Sequence, residues 1–325
     1  MINNFIKYTS LALSIVYITG CGQKKEVSTI EPIKTVSINN GTTTVDGTIT
    51  THNITELSTP ESVVVRNNTI YVANIGGNPG ASVGKGFITE YKNNTTKHLF
   101  VGLLDDPKGF AFLNDDTIIV SDHPNVKILQ ISTGTVLATL AINTPGFLND
   151  VVLIDNTTAL ISDTGKGLVY KISISEDMTT LSYVVVTGII ENGINGLAFD
   201  NATSTLYFVT STFGGDVTRG HVFQATLNND YTTASNLSQW NTDILGAGGL
   251  DGLVLINGKL IVSDWGVGGN PNAAHIYVFN SDRSLALTIN GMITSVADIT
   301  IDNSIVYLPE FTQNQITSID LTTHL

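Results

Sequence analysis

One feature constrains this chain more than any other: a short pattern recurs six times along it. Each copy has a polar or small pair, a short apolar run, a turn rich in Asn, Asp or Gly, and a second apolar run. The copies read PESVVVRNNTIYVAN from Pro60, PKGFAFLNDDTIIVSD from Pro107 and LNDVVLIDNTTALISD from Leu148. They continue as INGLAFDNATSTLYFVTS from Ile194, LDGLVLINGKLIVSD from Leu250 and VADITIDNSIVYLPE from Val296. The second residues of these units are Glu61, Lys108, Asn149, Asn195, Asp251 and Ala297, spaced 47, 41, 46, 56 and 46 residues apart. That period suits a four-stranded propeller blade of roughly 40–50 residues.

Composition supports strands. Only 13% of the 325 residues are charged while 42% are hydrophobic, enough apolar material for a core. No convincing amphipathic helix emerges, and the short apolar runs are punctuated by turn residues. Further strands follow in each unit, for example Val126–Ile131 and Thr135–Ile142 in the second, and Leu168–Ile172 and Leu181–Thr187 in the third. The last unit has only three, ending at Ile316–Leu321, and a strand near Thr43–Thr50 precedes the first. The predicted fold is therefore all-β: a six-bladed β-propeller over residues 43–325. The N-terminal strand completes the last blade, which removes long exposed edges. A β-sandwich or a pair of domains fits the constant period less well.

The first twenty residues read as an address. Lys7 is followed by an apolar run, Leu11–Ile18, too short to span a bilayer, which ends in Thr19-Gly20-Cys21. Small residues before the chain's only cysteine resemble a bacterial lipoprotein signal. That resemblance implies residues 1–20 as signal peptide and acylation of Cys21, with the lipid bilayer as partner and the cell envelope as location. It implies the outer membrane or periplasmic face if the source is Gram-negative. The alternative is an ordinary secretory signal with an incidental cysteine. One cysteine forms no intrachain disulfide and no four-Cys zinc site. Residues 21–42, the lipidated cysteine and a polar stretch without periodicity, read as a flexible tether with a reach of about 25 Å. The net charge of -13 argues against nucleic acid as a partner, because phosphate binding needs a basic surface.

In a propeller, one column of the repeat lies at one depth of the central channel. The column above places Glu61, Asn149, Asn195 and Asp251 in one ring, a hard-oxygen donor set of the kind Ca²⁺ takes. Glu, Asn, Asn and Asp in this order and blade spacing resemble the SMP-30/gluconolactonase/LRE-like family. The matching stretches are Pro60-Glu61, Leu148-Asn149-Asp150, Ile194-Asn195-Gly196 and Leu250-Asp251-Gly252. The resemblance implies Ca²⁺ or another divalent cation on those four residues, and hydrolysis of a small-molecule lactone or ester. Asp251, or a carboxylate beside it, is then the catalytic general base. Lys108 departs from the family pattern, and a metal-free ring in which Lys108 bridges Glu61 and Asp251 is the competing reading. No counterpart of a substrate-binding Arg or of a paired-His arrangement is found.

The loops after the second strands form the rim above that ring. They offer Lys108 beside the ring, His123 as a proton carrier, and Phe213 and Trp265 as apolar walls for a substrate pocket. Asp122, Asp163 and Asp264, which end second strands, fit a role in bonding turn amides. Gly266-Val267-Gly268-Gly269 is no dinucleotide fingerprint, since it opens no helix, and neither HExxH nor an EF-hand loop occurs. Two function classes follow: a metal-dependent lactonase or esterase on a lipid-anchored propeller, or a non-catalytic ligand- or protein-binding propeller lipoprotein.

Overall fold

The computed structural model describes residues 35–211, 220–241, 249–266 and 274–325. Two strands come before the repeated units: β1 (Thr35–Asn39) and β2 (Thr44–His52). The first unit forms β3 (Pro60–Arg66), β4 (Thr69–Asn74), β5 (Gly86–Lys92) and β6 (Thr95–Leu104), and the second β7 (Pro107–Phe112), β8 (Thr117–Asp122), β9 (Asn125–Gln130) and β10 (Thr135–Ala141). The third forms β11 (Leu148–Asp155), β12 (Thr158–Asp163), β13 (Leu168–Ile174) and β14 (Leu181–Val185), and the fourth β15 (Ile194–Asp200), β16 (Thr205–Thr210), β17 (Val222–Leu227) and β18 (Ala234–Gln239). After these come β19 (Leu250–Ile256), β20 (Lys259–Asp264), β21 (His275–Phe279) and β22 (Leu285–Asn290). The last unit has β23 (Thr300–Asp302), β24 (Ile305–Glu310) and β25 (Gln315–Asp320), with one 3-10 turn at Phe311–Gln313.

The first four units are four-stranded antiparallel sheets. The remaining strands share a nine-stranded sheet in the order β19-β20-β21-β22-β1-β2-β25-β24-β23. The architecture is all-β and built from antiparallel sheets of propeller type. First strands touch in succession, β3 to β7, β11, β15, β19 and β23, and β23 returns to β3. The hydrophobic clusters lie between neighbouring sheets. Ile119 and Ile128 of the second sheet pack with Val151 and Ile161 of the third. Leu160 of the third packs with Phe208 of the fourth, and Tyr307 and Ile316 join Val63 and Val72 of the first.

Local chemistry explains the hairpins. Arg66 pairs with Thr69 across Asn67-Asn68, both with positive φ. Lys92 pairs with Thr95 across Asn93-Asn94, again with positive φ at both. Such two-residue turns need the left-handed region, which Asn tolerates better than most residues.

The N-terminal strand joins the last unit: β2 pairs antiparallel to β25 through Ile49–Ile319 and Thr51–Thr317. The segment read as a tether needs correction at its end. Within 21–42, Thr35–Asn39 is β1, paired with β2 on one side and with β22 on the other. Val36 and Ile38 are buried in the core. Their alternation with polar neighbours places both on one face of the strand. Residues 1–34, with Cys21 and the signal segment, lie outside the described residues.

Candidate functional site: a buried carboxylate ring under an aromatic cavity

The first strands carry the site. In five of them the pairing with the second strand slips near the ring column: between Pro60 and Ser62, Pro107 and Phe110, Leu148 and Val151, Ile194 and Leu197, and Leu250 and Leu253. Glu61, Lys108, Asn149, Asn195 and Asp251 fall inside these irregularities. A bulge frees a residue from the ladder and re-aims its side chain. All six column residues are buried, at 6% exposure or less.

The next column packs the strands against one another. It reads Ser62, Gly109, Asp150, Gly196, Gly252 and Asp298. Asp150 Oδ2 accepts the Leu197 amide at 2.6 Å and its Oδ1 accepts the Val151 amide at 2.6 Å. Asp298 Oδ2 accepts the Ser62 hydroxyl at 2.8 Å and its Oδ1 the Ile299 amide at 2.8 Å. These two carboxylates tie neighbouring first strands together. Glycines permit the close approach: a Cβ at Gly196 would lie 2.3 Å from the Asp251 carbonyl oxygen, and one at Gly252 2.5 Å from the Ile299 nitrogen.

Four carboxyl groups thus crowd the channel. Burial, reinforced by Asp251, pushes Glu61 well above the usual carboxylate range. Burial and the neighbouring Asp298 and Asp150 do the same to Asp251, and burial with Asp150 and Glu61 to Asp298. Burial raises Asp150 to about 6 against the opposing pull of its two amide bonds. Among the described residues, Glu61 Oε2, Asp251 Oδ1 and Asn195 Nδ2 make no well-formed hydrogen bond, although Asn195 lies close enough to Asp251 to pull its pKa down in part. Asn149 donates its Nδ2 to Thr164 Oγ1 at 3.2 Å, which commits the nitrogen and leaves the amide oxygen as an acceptor.

Lys108 does not bridge the two ring carboxylates. Its Nζ lies 2.8 Å from Asp106 Oδ2 and 4.1 Å from the centroid of the Phe147 ring. Its charge still acts on Glu61, pulling that pKa down in part. Asp106 also accepts the Gly80 amide at 2.6 Å, while its Oδ1 has no partner among the described residues.

A cavity of about 760 Å³ opens over this floor, within the range of small-molecule sites. Glu61, Lys108, Asn149 and Asp251 line it, and so do Thr164, Ser211, Trp265 and Phe311 from the rim. Phe147, one residue before β11, lies outside the repeated columns and had no sequence signal of its own. His123 is not among the lining residues. Its Nδ1 accepts the Leu148 amide at 3.2 Å, its ring leans on Phe147 at 5.8 Å, and burial lowers its pKa. Phe213 lies outside the described residues. Asp122 and Asp163 pin turns: Asp122 Oδ1 accepts the Asp105 and Asp106 amides, each at 2.8 Å, and Asp163 accepts those of Gly146 and Phe147 at 2.9 and 2.8 Å.

Among the described residues, no group of three or more His, Cys, Asp or Glu side chains is arranged to hold a metal. A cation here would draw on two carboxylates and two amide oxygens. The donor set fits a hard divalent ion on two counts. Among the described residues Glu61 Oε2 and Asp251 Oδ1 accept no hydrogen bond and are open to a cation that takes the place of their protons, and Lys108 is committed to Asp106.

Solved structures share this architecture. A luciferin-regenerating enzyme superposes with a TM-score of 0.61 at 13% identity, over 84% of this chain and 94% of that one. Regucalcin from Agrobacterium tumefaciens, a calcium-binding protein, gives 0.60 at 13% identity over 82% and 90%. A putative 6-phosphogluconolactonase from Bacteroides fragilis gives 0.57 at 12% identity over 90% and 93%. The likeness is one of fold. No family model matches the chain, and no curated protein matches it in sequence.

Proposed function

We propose that this protein is a six-bladed propeller hydrolase that opens lactones or related carboxylic esters, displayed from the cell envelope through an acylated Cys21. The observation that carries the reading is the pair of unpartnered oxygens, Glu61 Oε2 and Asp251 Oδ1, on the floor of a ligand-sized cavity. The likeness to regucalcin, the luciferin-regenerating enzyme and the lactonase-like propeller supports the same choice. Glu61, Asn149, Asn195 and Asp251 would hold Ca²⁺ or another divalent cation. When bound, that cation would polarise the ester carbonyl and offset the ring's negative charge.

The chain's own groups account for the proton movements. Asp251, whose carboxyl burial and its acidic neighbours hold well above the usual range, acts in its deprotonated form: it accepts a proton from the attacking water, whose oxygen bonds to the carbonyl carbon. The ring C–O bond breaks, its oxygen takes up a proton, and the product is the hydroxy acid. Asp150 and Asp298, tied to amides and a hydroxyl, hold the first strands in register and so orient Asp251 and Glu61.

A second reading has one observation behind it. Lys108 already places an ammonium beside the ring, as a cation-free binding propeller would need. Elemental analysis of the purified protein, followed by a lactone and ester panel with and without EDTA, separates the two. Stoichiometric divalent metal and EDTA-sensitive hydrolysis support the enzyme. A metal-free protein inactive on the whole panel overturns it in favour of the binding module.

A further inference from the structure

Above a polar floor, the described lining of the cavity is mostly apolar, with Asn192, Ser211 and Thr164 as its polar members. Ile75, Pro79, Phe147, Trp265, Ala297 and Phe311 supply the apolar lining. Trp265 and Phe311 meet edge-on, with ring centroids 5.4 Å apart at 63°. Phe147 faces the cavity with the Lys108 ammonium 4.1 Å from its centroid, so this ring marks the boundary between floor and wall. The hydroxyl of Thr164 is spent within the protein, donating to the Ile194 carbonyl at 2.7 Å while accepting from Asn149 at 3.2 Å.

This distribution bears on what the site takes. A polyhydroxylated sugar lactone carries a hydroxyl on nearly every carbon, and each one buried against an aromatic wall loses a hydrogen bond to water. An alkyl or aryl body gains instead, in proportion to the apolar surface it removes from water. Resting on the hydrolase reading above, we infer that the substrate is a lactone or ester with an extended apolar substituent. Its carbonyl sits over the ring of Glu61 and Asp251. Its alkyl or aryl body packs between Phe147 and the Trp265–Phe311 pair. Trp265 and Phe311 are the specificity-determining residues.

The test compares δ-lactones that differ in what they carry: δ-decalactone, with an alkyl chain, and glucono-δ-lactone, with hydroxyls. The wild-type protein should hydrolyse δ-decalactone with kcat/KM at least about tenfold higher. Trp265→Ala and Phe311→Ala should each raise KM for δ-decalactone by about tenfold and shrink that preference. Preference for the sugar lactone, or a preference untouched by both substitutions, overturns the inference. Binding is read independently by calorimetry on Asp251→Asn, which should not turn over. Tighter binding of δ-decalactone than of glucono-δ-lactone supports the substrate class even if no lactone is hydrolysed, an outcome that would sink only the catalytic reading. Equal or weaker binding of δ-decalactone overturns the substrate class.

Discussion

Lys108 and Asp106 form an ion pair sealed inside the protein, with 2.8 Å between Nζ and Oδ2 and side-chain exposures of 0% and 1%. Water cannot compensate either charge if the other is removed. Lys108→Met leaves Asp106 buried without its cation and should cost about 3–5 kcal/mol of stability. The double variant Lys108→Met/Asp106→Asn should cost clearly less than the sum of its parts, because no charge is left stranded. Urea denaturation of wild type, both single variants and the double variant measures the coupling. Additive losses would mean that the pair is not an energetic unit.

Asp264 predicts a pH dependence. It is fully buried, and burial pushes its carboxyl up to about 6 against the bond it accepts from the Gly266 amide. Between its unfolded value of 3.8 and about 6, the folded state holds a proton that the unfolded chain has lost. Stability contributed by this group therefore falls as pH rises through that window, by about 3 kcal/mol in all. Asp264→Asn removes the titration. The difference in unfolding free energy between variant and wild type should shift in the variant's favour from pH 4 to pH 7 and level off above it. A difference that stays constant with pH counts against the assignment.

The ring offers a test of its donor set. Adding Ca²⁺ to chelated wild-type protein should raise its Tm, since an ion that binds only the folded state stabilises it by mass action. Glu61→Gln and Asp251→Asn each remove a carboxyl that burial and its neighbours disfavour in the ionised form, relieve the crowding and should raise the Tm of the chelated protein, more so as pH rises. Each should also lose most of the Ca²⁺-induced rise. Thermal scans with EDTA and with Ca²⁺ read both effects, and a rise that survives both substitutions places the ion elsewhere.

The repeat made much of this legible in advance. A column shared by six units picked out Glu61, Asn149 and Asp251, which line the cavity, and Asn195, which is buried but not among the lining residues. Pairing of β2 with β25 followed from a unit that lacked one strand. What the column could not carry was chemistry off the column. Asp106 lies two residues before Lys108, outside the repeated pattern, so the partner of the ring's one cation was invisible and a bridge to Glu61 and Asp251 stood in its place. Phe147 likewise precedes β11. The strand β1 had a signal, Val36 and Ile38 alternating before the turn at Asn40-Gly41, but five residues between polar segments are too few to separate a strand from an extended tether.

Close approach of the first strands makes Gly252 sensitive to a single methyl. A Cβ at Gly252 would meet the Ile299 nitrogen at 2.5 Å and the Asp298 Cα at 2.9 Å, both backbone atoms. At Gly47 the nearest obstacle is the terminal methyl of Ile38, at 2.6 Å, which a rotamer change can move. Gly252→Ala should therefore cost about 1–3 kcal/mol or more from overpacking, and Gly47→Ala clearly less. Equal effects in chemical denaturation would show that the first strands can spread apart at no cost.

Placement of β1 in the core is open to a direct test. Ile38 is 4% exposed and sits in the cluster with Ile276, Ile289 and Ile319, although it lies in a segment that reads by composition as a tether. Ile38→Ala removes buried methyl groups and leaves a cavity between β22 and β2, at an expected cost of about 2–5 kcal/mol. Val45 of β2 is 47% exposed, so Val45→Ala should stay within about 0.5 kcal/mol. Starting the chain at Gly41 should cost at least as much as Ile38→Ala, because it also strips β22 and β2 of their shared neighbour and exposes two strand edges. Urea unfolding of the three variants decides the point: an Ile38→Ala variant as stable as Val45→Ala would mean that residues 35–39 only trail along the sheet edge.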